Sequence, residues 1–229
     1  MTAVPTVLVF DVNETLIDID SLAPLFDQIL GDPHAMREWF GQLVMYSMTT
    51  ALSGCYVDFF TLGQATLQML ADIHGVRIND GDLDRVKHAM LTMPVHPDVS
   101  DGLEILRDNG FRLVTLTNSP PNPQGKSPLE HAGLAGFFER QFSVDARRTF
   151  KPAAEVYHYV CDELAVEPGE CMMVAAHVWD TIGAQRAGLE GALLTRPGNA
   201  PLKAEGLPQP TLVASDLREL ARLIIERTE

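Results

Sequence analysis

The sequence predicts an α/β fold on a parallel, doubly wound sheet, with a helical segment inserted early in the chain. Three observations carry this. Thr6 to Phe10 reads TVLVF, a continuous apolar run of the kind buried on both faces of a parallel sheet. From about Ser21 to Met93 the apolar residues fall near helical spacing, with almost no β-branched runs. After Pro94, strand-like and helix-like stretches alternate with short links, the pattern of right-handed βαβ crossovers.

Taken in order, the first strand ends at Phe10. The stretches SLAPLFDQIL, PHAMREWFGQLVMYSMTTAL, FTLGQATLQMLADIH and DLDRVKHAMLTM then read as four helices, a bundle-like insert, punctuated by Gly31-Asp32-Pro33 and Asn79-Asp80-Gly81. A helix from Val99 to Asp108 stops at Asn109-Gly110, where glycine suits a left-handed cap. The strand Arg112–Thr117, a Pro-rich loop from Pro120 to Pro128, a short helix at 129–132 and a strand near 141–144 follow. Next come a helix (153–164), a strand (171–175), a helix (179–187), a strand (191–194), a last strand (211–213) and a last helix (217–227). In such sheets the chemistry sits beyond the carboxyl ends of the strands.

A chain of 229 residues accommodates one large α/β domain or a core with a smaller insert. Its net charge of −14, without a basic stripe, argues against binding nucleic acid. No apolar run approaches the roughly 18–20 residues of a membrane span. The N-terminus reads straight into a strand, so no signal peptide is expected. Three widely spaced cysteines (Cys55, Cys161, Cys171) form neither a metal pattern nor a disulfide framework, which fits a reducing cytoplasm.

The chemically informative residues all fall just past predicted strand ends. Asp11 follows TVLVF in the run Asp11-Val12-Asn13-Glu14-Thr15; Thr117-Asn118-Ser119 follows RLVTL; Lys151-Pro152 precedes a helix; and His177-Val178-Trp179-Asp180 comes shortly after CMMV. Adjacent parallel strands bring these ends into one crevice. Asp11 and Asp180 would repel unless a cation sat between them, and Lys151 supplies one, keeping Asp11 ionised and nucleophilic. Thr117 and Asn118 offer hydrogen bonds to a carboxylate, a substrate anion or a leaving group. Taken singly, each is a common turn residue, solvated charge or packing group. The ordered set is what points to an active site.

This set, with helices directly after Asp11, resembles the haloacid dehalogenase-like superfamily, and within it the (S)-2-haloacid dehalogenases. Phe10-Asp11 with Thr15-Leu16 matches the first motif, Leu116 to Pro120 the second, Lys151-Pro152 with Tyr157 the third, and Val174 to Asp180 with Gly183-Ala184 the fourth. The resemblance covers nearly the whole chain. It implies a Rossmann-like core at 1–15 and 98–229 with a helical cap at 16–97. It also implies a small-molecule substrate, a short organic acid; no cofactor or metal; no membrane or nucleic-acid partner; and a homodimer. The implied chemistry is attack of the Asp11 carboxylate on the α-carbon of a 2-haloacid, loss of halide, and hydrolysis of the aspartyl ester near Asp180 and Lys151. The motifs give Thr15 and Thr117 supporting or substrate contacts, Asn118 a halide or substrate contact, Tyr157 a place at the substrate site, and Trp179 an apolar wall.

Three departures bear on the substrate. The long cap helix of the family carries an anion-binding arginine six residues before a tyrosine. Counting back from Tyr46 puts Phe40 there, with Arg37 about one turn earlier. The fourth-motif serine and asparagine that position water correspond to Ala175 and His177, so His177 is expected to act as base or water-orienting group. Asn13-Glu14 replaces an aromatic-glycine pair. Two rival functions follow. One is a phosphatase of the same superfamily, opposed by Asn13 and Ala176 where such enzymes carry acids. The other is a catalytically silent ligand-binding member, opposed by the retained Asp11, Lys151 and Asp180.

Overall fold

The computed structural model describes residues 5–122 and 125–227. Residues 123–124 of the Pro-rich loop, and residues 1–4 and 228–229 of the expected core, lie outside the described residues. β1 (Val7–Phe10) and a 3-10 turn lead into α1 (Ala23–Leu30), α2 (Ala35–Leu52), α3 (Phe59–His74) and α4 (Asp80–Leu91). There follow α5 (Val99–Asp108), β2 (Arg112–Thr117), α6 (Pro128–His131), β3 (Arg140–Ser143), α7 (Ala154–Leu164) and β4 (Cys171–Ala175). The chain ends with α8 (Val178–Arg186), β5 (Glu190–Leu194), β6 (Leu212–Ala214) and α9 (Leu217–Glu226). The expected elements are all present, with ends displaced by one or two residues.

Within the described residues the strands form one parallel sheet in the order β3-β2-β1-β4-β5-β6. Every residue of β1 and β4 is buried. Neighbouring strand residues point to opposite faces, so both faces of the sheet are covered. β1 lies between β2 and β4, with Phe10 beside Thr115 and Val174. The strand order reverses at β1, so its carboxyl end opens at the switch point where ligands bind in doubly wound sheets.

The helix ends follow local chemistry. α1 and α3 stop at Gly31 (φ 76°) and Gly75 (φ 67°), left-handed positions that cost glycine little. The Asp58 side chain caps α3 by accepting from the Phe60 and Thr61 amides, and Asn79 with Asp82 forms a capping box on α4. α2 packs on α3 around Trp39, which is fully buried and donates from Nε1 to the Gly63 carbonyl at 2.9 Å. α5 packs on α9 at Gly102, where a Cβ would fall 2.5 Å from Leu217 Cγ. No described helix is long and apolar enough to cross a membrane.

Candidate active site

The turn after β1 fixes Asp11. Its amide donates to the Val174 carbonyl at 3.0 Å, and the Leu16 and Ile17 amides fold back onto the Val12 carbonyl. Glu14 turns the chain with φ 68°, a costly left-handed conformation for a residue with a side chain. The Thr15 hydroxyl accepts from the Ala176 amide at 2.9 Å, which leaves its single proton for Asp11 Oδ2 at 2.7 Å.

Lys151 reaches the same point from the loop before α7. Its Nζ donates to Asp11 Oδ1 at 2.7 Å, Asp180 Oδ2 at 2.6 Å and the Leu116 carbonyl at 3.0 Å. All three ammonium donors therefore have acceptors. Asn118 does not point at open space; its Oδ1 accepts from the Lys151 amide at 3.1 Å. The Tyr157 hydroxyl donates to Asp180 Oδ1 at 2.7 Å from a fully buried position, so it braces Asp180 from behind. Gly183, one turn along α8, permits this close packing: a Cβ there would lie 2.5 Å from Pro152 Cβ and 2.7 Å from the Tyr157 oxygen.

His177 stands on the opposite side of Asp11. Its ring stacks on Trp179 at 4.9 Å and meets Phe40 of α2 at 5.7 Å. Nε2 pairs with Glu14 Oε2 at 2.7 Å. Nδ1 is buried, forms an ion-pair contact of 3.4 Å with Asp11 Oδ2 and has no closer hydrogen-bond partner among the described residues. Glu14 in turn accepts from Asn199 Nδ2 at 2.9 Å and pairs with the Arg37 guanidinium. Arg37 also pairs with Asp20 at 2.7 Å and donates to the Pro197 carbonyl at 3.0 Å.

Burial alone would raise the Asp11 pKa, but the Lys151 charge and the His177 contact outweigh it and hold the carboxyl well below the usual carboxylate range. Burial opposes charge on Lys151 too, yet its two carboxylate partners hold the proton. Asp180 is shifted up, first by burial, with Lys151 counteracting and Asp11 adding repulsion. Burial disfavours the His177 cation, but Asp11 and Glu14 together push it up to about 9. Desolvation of Glu14 is overcome by His177 and Arg37, which lower it.

Of the sequence-predicted residues, Asp11, Thr15, Lys151, Asp180, Tyr157, Asn118, His177, Trp179 and Phe40 converge here. Thr117 does not. Its hydroxyl accepts from the Ser119 amide at 3.2 Å, and it lines a separate cavity of about 350 Å³ with Val12, Asn13 and Ser119. Residues unforeseen from the sequence are Glu14 as a partner of His177, Asn199, and the buried Arg196–Asp98 pair at 2.7 Å. Arg196 Nε and Nη2 also donate to the Thr15 carbonyl at 3.1 and 3.0 Å.

The arrangement presents an ionised carboxylate with Oδ1 neutralised by an ammonium and Oδ2 facing an imidazole. A parallel sheet with this pair of aspartates bridged by one lysine at its carboxyl edge fits a hydrolase whose site is built around a carboxylate on a Rossmann-like core. Residues 5–188 match the family model described as haloacid dehalogenase-like hydrolase, and the chain belongs to that family.

Among its relatives is (S)-2-haloacid dehalogenase 1 of Pseudomonas sp. (strain CBS-3), 28% identical over 223 residues, 96% of this chain and 97% of the relative. (S)-2-haloacid dehalogenase 4A of Burkholderia cepacia is 28% identical over 195 residues, 84% of each chain. The solved structure of L-2-haloacid dehalogenase from Xanthobacter autotrophicus superposes with a TM-score of 0.87 at 26% identity, covering 96% of this chain and 98% of that one.

Proposed function

We propose that this protein is a metal-independent dehalogenase acting on 2-haloacids through an ester on Asp11. The observation that carries the reading is Lys151, whose ammonium lies within hydrogen-bonding distance of both Asp11 and Asp180. It supplies between the carboxylates the positive charge that a cation-dependent relative would take from a metal, and Asn13 donates to Ser119 Oγ at 3.3 Å instead of offering an acid. The named relatives supply the substrate class.

In the first step Asp11 Oδ2 attacks the α-carbon, the carbon–halogen bond breaks with its electron pair leaving on halide, and an ester forms. In the second, water adds to the Asp11 carbonyl carbon, the ester opens, and the 2-hydroxyacid departs. Lys151 and Thr15 hold the carboxyl group, Trp179 and Phe40 wall the site, Asp180 anchors Lys151, and His177 orients or deprotonates the water.

On this reading residues 1–15 and 98–229 form the core and 16–97 the cap, which lays Phe40 over His177. Phe40 and a fully engaged Arg37 favour a less tightly held carboxylate, hence a broadened substrate range. Three unpaired cysteines fit a reducing cytoplasm, and the same reading has the enzyme as a homodimer.

The test is halide release from a panel of 2-haloacids beside phosphate release from a panel of phosphate esters, each with EDTA and with Mg²⁺. Metal-independent halide release, lost in Asp11→Asn and accompanied by an adduct on the Asp11 peptide, supports the reading. Phosphate release that requires Mg²⁺ sinks it.

A further inference from the structure

We propose that Glu14 is a positioning residue for the second half-reaction: it holds His177 by Nε2 so that Nδ1 takes the proton of the water that opens the Asp11 ester. The proposal rests on the aspartyl-ester reading above and adds a residue to it.

Glu14 is 2% exposed and sits in a left-handed backbone conformation. A simple surface ion pair would need neither feature. Its carboxylate is held from three parts of the fold: His177 at the start of α8, Arg37 on α2, and Asn199 in the loop after β5. Its own carbonyl meets His96 Nε2 at 3.0 Å. The ring it holds stacks on Trp179 and meets Phe40.

With Nε2 committed to Glu14, Nδ1 is the nitrogen left for chemistry. That atom is buried, and its one close polar neighbour among the described residues is the reacting group itself, Asp11 Oδ2 at 3.4 Å. A carboxylate on one ring nitrogen and a reacting group on the other is the arrangement that fixes a tautomer and stabilises the imidazolium as it forms.

The groups around His177 make the proton inventory close. Asp11 and Glu14 face it from the loop after β1. Lys151 stands behind Asp11, its other side turned to Asp180 of α8, and Arg37 of α2 stands behind Glu14. With both carboxylates charged, His177 holds its proton at neutral pH. Esterification removes the charge of Asp11, so the imidazolium loses one of its two anions and yields its proton to solvent as halide leaves. The neutral ring then takes a proton from water as the oxygen adds to the Asp11 carbonyl carbon. The bond from that carbon to the substrate oxygen breaks. One water proton ends on the departing alcohol and the other on His177, and Asp11 is again a carboxylate.

The experiment is rapid quench with 2-chloropropionate as probe, resolving halide burst from ester hydrolysis in wild type, Glu14→Gln and Glu14→Asp. Glu14→Gln is expected to keep the burst within about threefold and to slow hydrolysis by about 10²-fold or more. The pH midpoint of hydrolysis should move down, because a histidine without its carboxylate is a weaker base, and Glu14→Asp should recover part of the rate. An unchanged hydrolysis rate and midpoint in Glu14→Gln overturns the proposal, as does an equal fall in both steps.

If Glu14→Gln does not fold, nitrogen NMR of His177 in Asp11→Asn, whose neutral side chain imitates the ester, decides the matter. The proposal requires the neutral ring to carry its proton on Nε2, and a proton on Nδ1 overturns it. Absence of any Asp11 adduct in the wild type fails the dehalogenase reading instead, and the NMR result stays interpretable on its own.

Discussion

The Lys151 ammonium lies 2.7 Å from Asp11 Oδ1 with its side chain fully excluded from solvent. A buried lysine survives only with its charge matched, and here two carboxylates and a carbonyl do so. Replacing it with methionine keeps the volume but leaves Asp11 and Asp180 facing each other uncompensated. Lys151→Met should lose all detectable halide release and destabilise the fold by about 3–5 kcal/mol, read by denaturant titration at pH 7. Retained turnover would refute the role given to this pair.

The site also predicts how stability follows pH. The pKa of His177 in the folded protein is pushed from its ordinary 6.5 to about 9 by Asp11 and Glu14 against the effect of burial. Its contribution is therefore fully present below about pH 6.5 and disappears as the pH rises through about 9. Asp11 has the opposite sign: its depressed pKa stabilises the fold above its ordinary value of 3.8, and that contribution goes only in strong acid. Thermal melts from pH 6 to 10 should show a falling midpoint in the wild type and a flatter profile in His177→Gln.

Away from the reacting atoms, Asp98 joins three elements. Its Oδ1 accepts from Arg196 and its Oδ2 from the Leu217 amide at 2.7 Å, while Arg196 reaches the Thr15 carbonyl in the turn that follows Asp11. Asp98→Ala strands a nearly buried guanidinium and should cost about 3–5 kcal/mol of stability. Activity per folded molecule should fall less steeply than the folded fraction, measured by active-site titration beside calorimetry.

How much of this was legible follows from the kind of signal each residue leaves. TVLVF and CMMV announce buried strands by composition, so the places of Asp11 and His177 to Asp180 could be read without coordinates. The alignment of strand ends also brought Lys151 to the crevice. Other relations had no periodic trace. Glu14 and His177 are separated by 163 positions, and Asn199 and Glu14 by 185. Glu14 read only as a departure from a motif, since nothing local signals that a left-handed residue will aim its carboxylate at a distant imidazole. Arg37 was legible as nearby, but its engagement with Glu14 and Asp20 was not. Thr117 shows the limit of strand-end reasoning. It lies at the carboxyl edge yet turns into the neighbouring cavity, because alternate strand residues face opposite ways.

Gly183 tests whether α8 must approach α7 this closely. Any Cβ there meets Pro152 and the Tyr157 oxygen at under 3 Å, and Tyr157 braces Asp180. Gly183→Ala should destabilise by about 1–3 kcal/mol through overpacking. It should also lower kcat beyond the loss of folded protein, because the shift passes to Asp180 and Lys151. A normal kcat in the folded fraction would show that α8 can move without disturbing the bridge.

On the proposed reading Phe40 limits what the site admits. It is 7% exposed, its ring lies 5.7 Å from His177, and the Arg37 guanidinium of the same helix is occupied by Glu14 and Asp20. Truncation to alanine removes most of a buried ring and should cost about 3–5 kcal/mol if the space stays empty. The same space lies beside the His177 ring, so Phe40→Ala should admit haloacids with larger α-substituents and raise their kcat/KM relative to 2-chloropropionate. Phe40→Arg should act differently: a second cation beside the imidazolium lowers the pKa of His177 and offers the substrate carboxylate a partner. The expected outcome is a lower KM for short haloacids with the alkaline limb of the pH profile moved down. If neither variant alters the ratio between small and large substrates, Phe40 is packing alone and the wall of the site lies elsewhere.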